Sequence, residues 1–239
     1  MDKEFEYYYN NVPGKGPCRN NLIYTSLISK DKKTFCQWYH NDTDYHKDQN
    51  QVVDPNLMEE KFQREVEGLF YMYDHGFGKY LPNFHIDLNE KKIYLEIEGP
   101  DMWELAGCTG NDYSQILPDW DKQMLDIIQA HKDLGLYKYS LHPSSYFIVD
   151  GQLKSMNYFF TYIEGKDRPI TLRSVMSHIS EDRQVDLFVK MKELEIDVDK
   201  PTEHKQIQNL AFESFKTNFR DDVMELAKEI YAQDSSMDT

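Results

Sequence analysis

The chain has 239 residues, 40% of them hydrophobic and 14% aromatic, enough apolar material for one packed domain or two small lobes. Its formal net charge of −15 repels phosphate backbones and anionic lipid surfaces, so neither nucleic-acid nor membrane-surface binding is expected. Cys18, Cys36 and Cys108 are too few and too scattered for a disulfide framework, and they form no CxxC pair. Met1-Asp2-Lys3-Glu4 opens no leader-like run, and no stretch approaches the ~20 apolar residues of a membrane span. An intracellular, cytoplasmic setting is the expectation.

In chain order, the first half reads as strands with one helix inserted. Residues 5–9 are aromatic and end on Asn10-Asn11, as a short strand does. A turn-rich segment, Val12-Pro13-Gly14-Lys15-Gly16-Pro17, leads to a second strand over 22–28, a polar turn over 29–33 and a third strand over 34–40. After a polar loop, Asp54-Pro55 supplies a helix cap and a first-turn proline. Met58, Phe62, Val66, Leu69 and Met72 then recur at helical spacing until Gly76. Alternation of Phe84, Ile86 and Leu88, and again of Ile93, Leu95 and Ile97, predicts a hairpin turning at Asn89-Glu90. Gly99-Pro100 marks a boundary, giving expected lobes of residues 1–99 and 100–239.

The second half reads as mostly helical. One or two turns are expected over 101–106, then a helix over 119–134 with Trp120, Met124, Ile127, Ile128 and His131 on one face and Gly135 as its left-handed cap. Tyr146 to Val149, the turn Asp150-Gly151 and Leu153 to Met156 form a small hairpin. Helices are predicted over 172–178, over 181–194 and over most of 203–231.

This order of elements resembles a protein kinase over residues 5–160. Phe62-Gln63-Arg64-Glu65-Val66 is similar to the helix of the small lobe, with Glu65 at the place of its ion-pairing glutamate. Tyr94-Leu95-Glu96-Ile97-Glu98-Gly99-Pro100 is similar to the fifth strand and hinge. Leu141-His142-Pro143-Ser144-Ser145 resembles a catalytic loop, and Met156-Asn157-Tyr158-Phe159 falls where a kinase has Asp-Phe-Gly. The resemblance implies an α+β, two-lobed kinase-like fold: an antiparallel sheet plus one helix in the first lobe, and a shortened, mostly helical second lobe. Ile97, Glu98, Glu65 and the Gly14-Lys15-Gly16 turn would then border a nucleotide cleft, although a GxG alone is more often an ordinary surface turn.

The same resemblance implies that the chemistry has been replaced. Phosphoryl transfer needs a lysine on the phosphates, Mg²⁺ held by Asp and Asn, and an Asp orienting the attacking hydroxyl. No lysine lies between Thr34 and His40, and aligning Cys36-Gln37-Trp38 with Ala-x-Lys puts Trp38 at the lysine's place. Ser140 stands for the orienting carboxylate, His142 for the catalytic-loop lysine, Ser145 for the metal-binding Asn and Asn157 for the metal-binding Asp. The expectation is a pseudokinase with no catalytic residue, no metal and no expected cofactor, although its cleft could still hold ATP/Mg²⁺. It would work as a binding or regulatory module for a protein partner.

A competing register makes the chain an enzyme. His131-Lys132-Asp133-Leu134 is similar to His-Arg-Asp-Leu, and Asp150-Gly151 lies a kinase-like distance downstream, so Asp133 would orient the nucleophile and Asp150 would hold metal; a separate enzyme reading recruits Glu96 or Asp150 as an unconventional metal ligand. Against it, His131 and Leu134 continue a helical stripe that Gly135 caps, and Asp150-Gly151 suits a two-residue hairpin turn. Glu65 has two readings from its position beside Phe62 and Leu69: a vestigial ion-pair residue, or an acid at the edge of the apolar face.

Overall fold

The computed structural model describes residues 4–8, 24–40, 55–173, 192 and 195–233. It is an α+β protein built on a five-stranded antiparallel sheet and several helices. The strands are β1 (Phe5–Tyr7), β2 (Thr25–Ser29), β3 (Thr34–Trp38), β4 (Phe84–Asp87) and β5 (Lys92–Glu96), in the order β1-β2-β3-β5-β4. Helix α1 (Pro55–Met72) lies between β3 and β4 in sequence. No described helix is long and apolar enough to cross a membrane.

The chain divides into two compact units. The first contains Met1–Gly107 and Ser144–Phe160; the second contains Cys108–Pro143 and Thr161–Thr239. A cut at Gly99-Pro100 differs from this division at both ends. The short helix α2 (Met102–Leu105) and the hairpin β7 (Tyr146–Val149)–β8 (Gln152–Ser155) belong to the first unit. The hairpin is held there by packing: the Phe147 ring meets Phe35 at 5.3 Å between centroids.

Local chemistry explains the elements of the first unit. The β2–β3 turn is organised by Asp31, whose carboxylate accepts from Ser29 Oγ at 2.6 Å and from the Lys33 amide at 3.1 Å. Alternation along β3 turns Phe35, Gln37 and Tyr39 to one face of the sheet and Cys36, Trp38 and His40 to the other. Phe35 meets Tyr8 and Phe147 on the first face, while Trp38 stacks on His40 at 3.9 Å on the second. Helix α1 starts at Pro55 and ends where predicted, in a π-turn over Tyr73–Phe77 that needs Gly76 at φ 84°. Its buried face differs by one residue from the apolar periodicity, because Glu65 is fully buried and Val66 only partly so.

In the second unit, helix α3 (Trp120–Asp133) is followed by Gly135 at φ 63°, as its cap position requires. The short strands β6 (Leu136–Lys138) and β9 (Thr161–Ile163) pair antiparallel. β10 (Ile170–Thr171) and β11 (Pro201–Thr202) form another short ladder. The helix expected over most of 203–231 is two helices, α4 (His204–Ser214) and α5 (Asp221–Ala232). They are separated because Phe219 is buried against Trp120 at 5.8 Å and the Asn218 carbonyl accepts from Tyr113 Oη at 2.8 Å. Arg220, between them, pairs with Asp121 at 2.6 Å. The helices predicted over 172–178 and 181–194 lie outside the described residues except at Leu172, Arg173 and Lys192.

His131, on the buried side of α3, is 2% exposed, and burial first and the Lys138 ammonium second depress its pKa from 6.5 to about 3. The unfolded chain therefore takes up this proton before the fold does, so the contribution is complete above pH 6.5 and is lost as pH falls towards 3. Between about pH 7.5 and about pH 5 we expect roughly 2 kcal/mol of stability to be lost through this group. Urea unfolding of the wild type and His131→Leu across that range checks it: the variant's midpoint should fall less steeply, and parallel slopes would contradict the assignment.

Candidate functional site

Four buried polar residues of the first unit, Tyr24, Gln37, Ser145 and Asn157, meet around one side chain. Asn157 follows strand β8, sits at φ 65° in the left-handed region that Asn tolerates, and is 5% exposed. Its Oδ1 accepts from Tyr24 Oη at 2.7 Å and from Gln37 Nε2 at 2.8 Å, while its Nδ2 donates to Ser145 Oγ at 2.9 Å. The Met156 amide donates to the Ser145 carbonyl at 2.9 Å, closing the loop on itself. One amide thus joins the residue before β2, strand β3 and the turn that precedes β7.

Helix α1 completes the site. Glu65 Oε2 accepts from the Phe159 amide at 2.7 Å. One turn earlier the Lys61 ammonium lies 4.2 Å from the centroid of the Phe160 ring. On the same face, three residues after Glu65, Gly68 presses against Tyr158, where an added Cβ would come within 2.6 Å of the tyrosine Cβ. The residues 61, 65 and 68 share a helix face, so α1 meets 160, 159 and 158 in reverse order along its axis. Only glycine permits the last approach.

The site is buried, and neutral groups sit beside the carboxylate of Glu65 and the ammonium of Lys61. The Gln37 carbonyl oxygen and the Tyr39 hydroxyl are buried without a hydrogen-bond partner among the described residues. Burial first, then the Glu65 charge and Tyr24, push the Tyr39 hydroxyl well above its ordinary pKa, so it stays protonated. Burial raises Tyr158 in the same way. Lys61 is pulled down to about 8 by burial, against the pull of Glu60, 3.6 Å away. Among the described residues no group of three metal-ligating side chains comes together.

Of the residues singled out from sequence, Glu65, Ser145 and Asn157 fall in this cluster. Trp38 does not: it lies on the opposite face of the sheet, with the Lys92 ammonium 4.9 Å from its ring. Gln37, one residue earlier, takes the inward place. Ile97 and Glu98 line a separate open groove of about 680 Å³ beside the β2–β3 turn, where Glu98 Oε2 accepts from the Asp150 amide at 2.9 Å. Glu96, in the same groove, accepts from Asn83 Nδ2 at 2.9 Å. Gly14, Lys15 and Gly16 lie outside the described residues.

In the second unit, Ser140 offers its carbonyl to the Lys138 ammonium, and the His142 ring meets Phe215 edge-on at 6.4 Å. Tyr139, between them, hydrogen-bonds His204 Nδ1 at 2.6 Å. The Arg168 carbonyl lies 2.9 Å from His204 Nε2, and a carbonyl only accepts, so Nε2 carries the proton and Nδ1 accepts from Tyr139. Asp133 ends α3, exposed, with Oδ1 accepting from Gln129 Nε2 at 2.7 Å. Asp150 and Gly151 form the exposed turn of the β7–β8 hairpin with φ 52° and 68°.

Sequence reasoning missed Gln37 and Tyr24. The signal for Gln37 was the strict alternation of Phe35, Gln37 and Tyr39, which puts a polar residue on an otherwise aromatic face. Nothing local marks Tyr24, because its partner lies 133 residues away.

Two substitutions test the cluster. Asn157→Ala strands three buried partners and leaves a β-carbon in the left-handed region, so it should cost on the order of 3 kcal/mol. Asn157→Gly should recover only the backbone part, roughly 1 kcal/mol, in chemical unfolding. Lys61→Met should stabilise the fold at neutral pH, by on the order of 1–3 kcal/mol, because it removes a charge buried at a cost. That gain should shrink as pH rises from about 8 towards 10.5, where the folded and then the unfolded lysine becomes neutral. A gain that persisted to high pH would show that packing, not charge, was responsible.

No family model matches the chain, and no curated protein is significantly similar to it.

Proposed function

We propose that the chain is a catalytically degenerate, kinase-like protein that serves as a binding or regulatory module. The sheet order β1-β2-β3-β5-β4 with a helix between β3 and β4, followed by a mostly helical unit, supports the kinase-like reading. So does the meeting of a helix glutamate, Glu65, with the backbone beside Asn157.

One observation carries the functional part. In the kinase-like alignment, the metal-binding Asp and the metal-binding Asn correspond to Asn157 and Ser145, and Asn157 bonds both Ser145 and Gln37, the inward neighbour of the Trp38 aligned with the lysine. A divalent cation needs anionic or open oxygen ligands, and phosphates need fixed positive charge. The Asn157 amide has neither charge, and its oxygen already takes two donors. Neutral groups that satisfy each other hold a fold together at low cost in a dry interior, whereas the charged set would demand ligands to stay buried. The second reading, a phosphotransferase using Asp133 and Asp150, draws no support from an exposed helix end and an exposed hairpin turn.

The test is a thermal-shift titration with ATP, ADP and GTP, each with and without Mg²⁺ or Mn²⁺, together with an assay of γ-phosphate release. We expect no metal-dependent stabilisation and no turnover. A saturable, metal-dependent shift following mass action, with turnover lost in Asp133→Asn or Asp150→Asn, would overturn the proposal.

A further inference from the structure

The aromatic core of the second unit holds a hydroxyl–imidazole pair that takes no part in the Asn157 cluster. Tyr139, which follows β6, donates from Oη to His204 Nδ1 at 2.6 Å, and the His204 carbonyl lies 3.5 Å from the same hydroxyl. Both residues are 5% exposed. The proton on Nε2 is held by the Arg168 carbonyl at 2.9 Å, so Nδ1 keeps its lone pair on the tyrosine proton. Burial first, and then the neighbouring tyrosines, hold the Tyr139 hydroxyl far above its ordinary pKa, so it does not shed its proton to water. His204 is the base within reach.

Other tyrosines meet weaker bases. Tyr8 and Tyr137 donate to the carboxylates of Asp101 and Glu164, each at 3.1 Å. Tyr24 donates to the Asn157 amide oxygen, and Tyr113 and Tyr231 donate to backbone carbonyls. An imidazole binds a proton at about pH 6.5 and a side-chain carboxylate at about pH 4, a gap of roughly two orders of magnitude in proton affinity. The surroundings also suit the imidazolium that proton transfer to His204 creates. The rings of Tyr162 and Tyr137 stack on the imidazole at 4.7 Å and 5.7 Å between centroids, within reach of a cation–π contact. The Asp167 carboxylate lies near enough to raise the Tyr139 hydroxyl's pKa, and the same field favours a cation beside it. The Nε2–H keeps its carbonyl whether the ring is neutral or charged.

A phenol gives up an electron readily only when its proton can leave with it, because the radical cation left otherwise is a strong acid. We propose that Tyr139 and His204 form a proton-coupled redox pair, and that Tyr139 is where a one-electron oxidation of this aromatic cluster comes to rest. The oxidant takes one electron from Tyr139. The Oη–H bond breaks as the Nδ1–H bond forms, leaving a neutral tyrosyl radical that accepts a hydrogen bond from the imidazolium. A one-electron reductant reverses both transfers. The electron leaves through neighbouring rings: Tyr162 lies 5.3 Å from Tyr139, and Tyr137, bonded to the exposed Glu164, brings the cluster to the surface. The pair belongs to the second unit and the Asn157 cluster to the first, so the redox and nucleotide proposals can fail independently.

The probe is photogenerated tris(bipyridine)ruthenium(III), flashed with a cobalt(III) ammine as electron acceptor in the presence of the full chain. Electron paramagnetic resonance of the frozen product should show a tyrosyl radical coupled, in heavy water, to an exchangeable deuteron held by His204. Tyr139→Phe keeps the ring and removes the hydroxyl, and should abolish that signal. His204→Gln, which offers a hydrogen-bond acceptor but no base, should slow the radical's formation by about a hundredfold. Tyr113→Phe, which loses a hydroxyl bonded to a carbonyl, should leave signal and rate unchanged. If the Tyr139 and His204 variants do not fold, the deuteron coupling in the wild type decides the matter. No tyrosyl radical, one that survives Tyr139→Phe, or one without the deuteron coupling would overturn the proposal. An unchanged rate in folded His204→Gln would overturn it too, by showing that the bond serves packing alone.

Discussion

The first unit depends on the side chain of Asn157. It is the smallest group that offers both an acceptor for two donors and a donor of its own at a backbone position with positive φ. An aspartate would accept from Tyr24 and Gln37 but bring a charge into a dry site, and a leucine would leave all three partners stranded. Because the segment around Asn157 is fixed at this point, Tyr158, Phe159 and Phe160 fall in order along α1, against Gly68, Glu65 and Lys61. Sheet, helix and hairpin are joined by polar bonds that an apolar core alone would not direct.

The neutrality of this cluster bears on function. A buried ion set holds together only when each charge meets its counterpart, and removing one partner leaves an expensive orphan. The amide and hydroxyl groups of Asn157, Gln37, Tyr24 and Ser145 carry no such demand. The cluster's residual electrostatics sit at the margin: the Glu65 carboxylate receives a backbone N–H, and the Lys61 ammonium rests on an aromatic ring beside Glu60. The second unit solves a similar problem with tyrosines, where Tyr139 and the Arg168 carbonyl fix the tautomer of His204, and Tyr231 Oη donates to the Leu136 carbonyl. In both units polar groups inside an aromatic core are paired with groups far away in sequence.

If the interior is closed, recognition passes to the surface, and the surface is uneven. Most large apolar side chains are buried, yet Phe70, Tyr73, Leu88 and Leu105 remain exposed in the first unit. Two of these four flank the open edge of β4. A sheet edge is a liability for a lone chain unless charge or a partner covers it, and here the net charge of −15 discourages self-pairing.

The sequence by itself determined the order of strands and helices in the first unit, because period-2 and period-3.6 patterns are local and Gly76 and Asp150-Gly151 mark turns that need positive φ. It also determined the chemistry available at Glu65, Ser145 and Asn157. It did not determine whether Gln37 or Trp38 faces inward, since a strand shifted by one residue exchanges its faces and no lysine was present to anchor the alignment. Nor did it show that α4 and α5 are separate, since the break depends on Phe219 finding Trp120 across the second unit. The tertiary structure alone decided which buried polar groups meet. Tyr24 and Gln37 reach Asn157 across 133 and 120 residues, and such pairings are set by how the chain crosses itself, which no local period records.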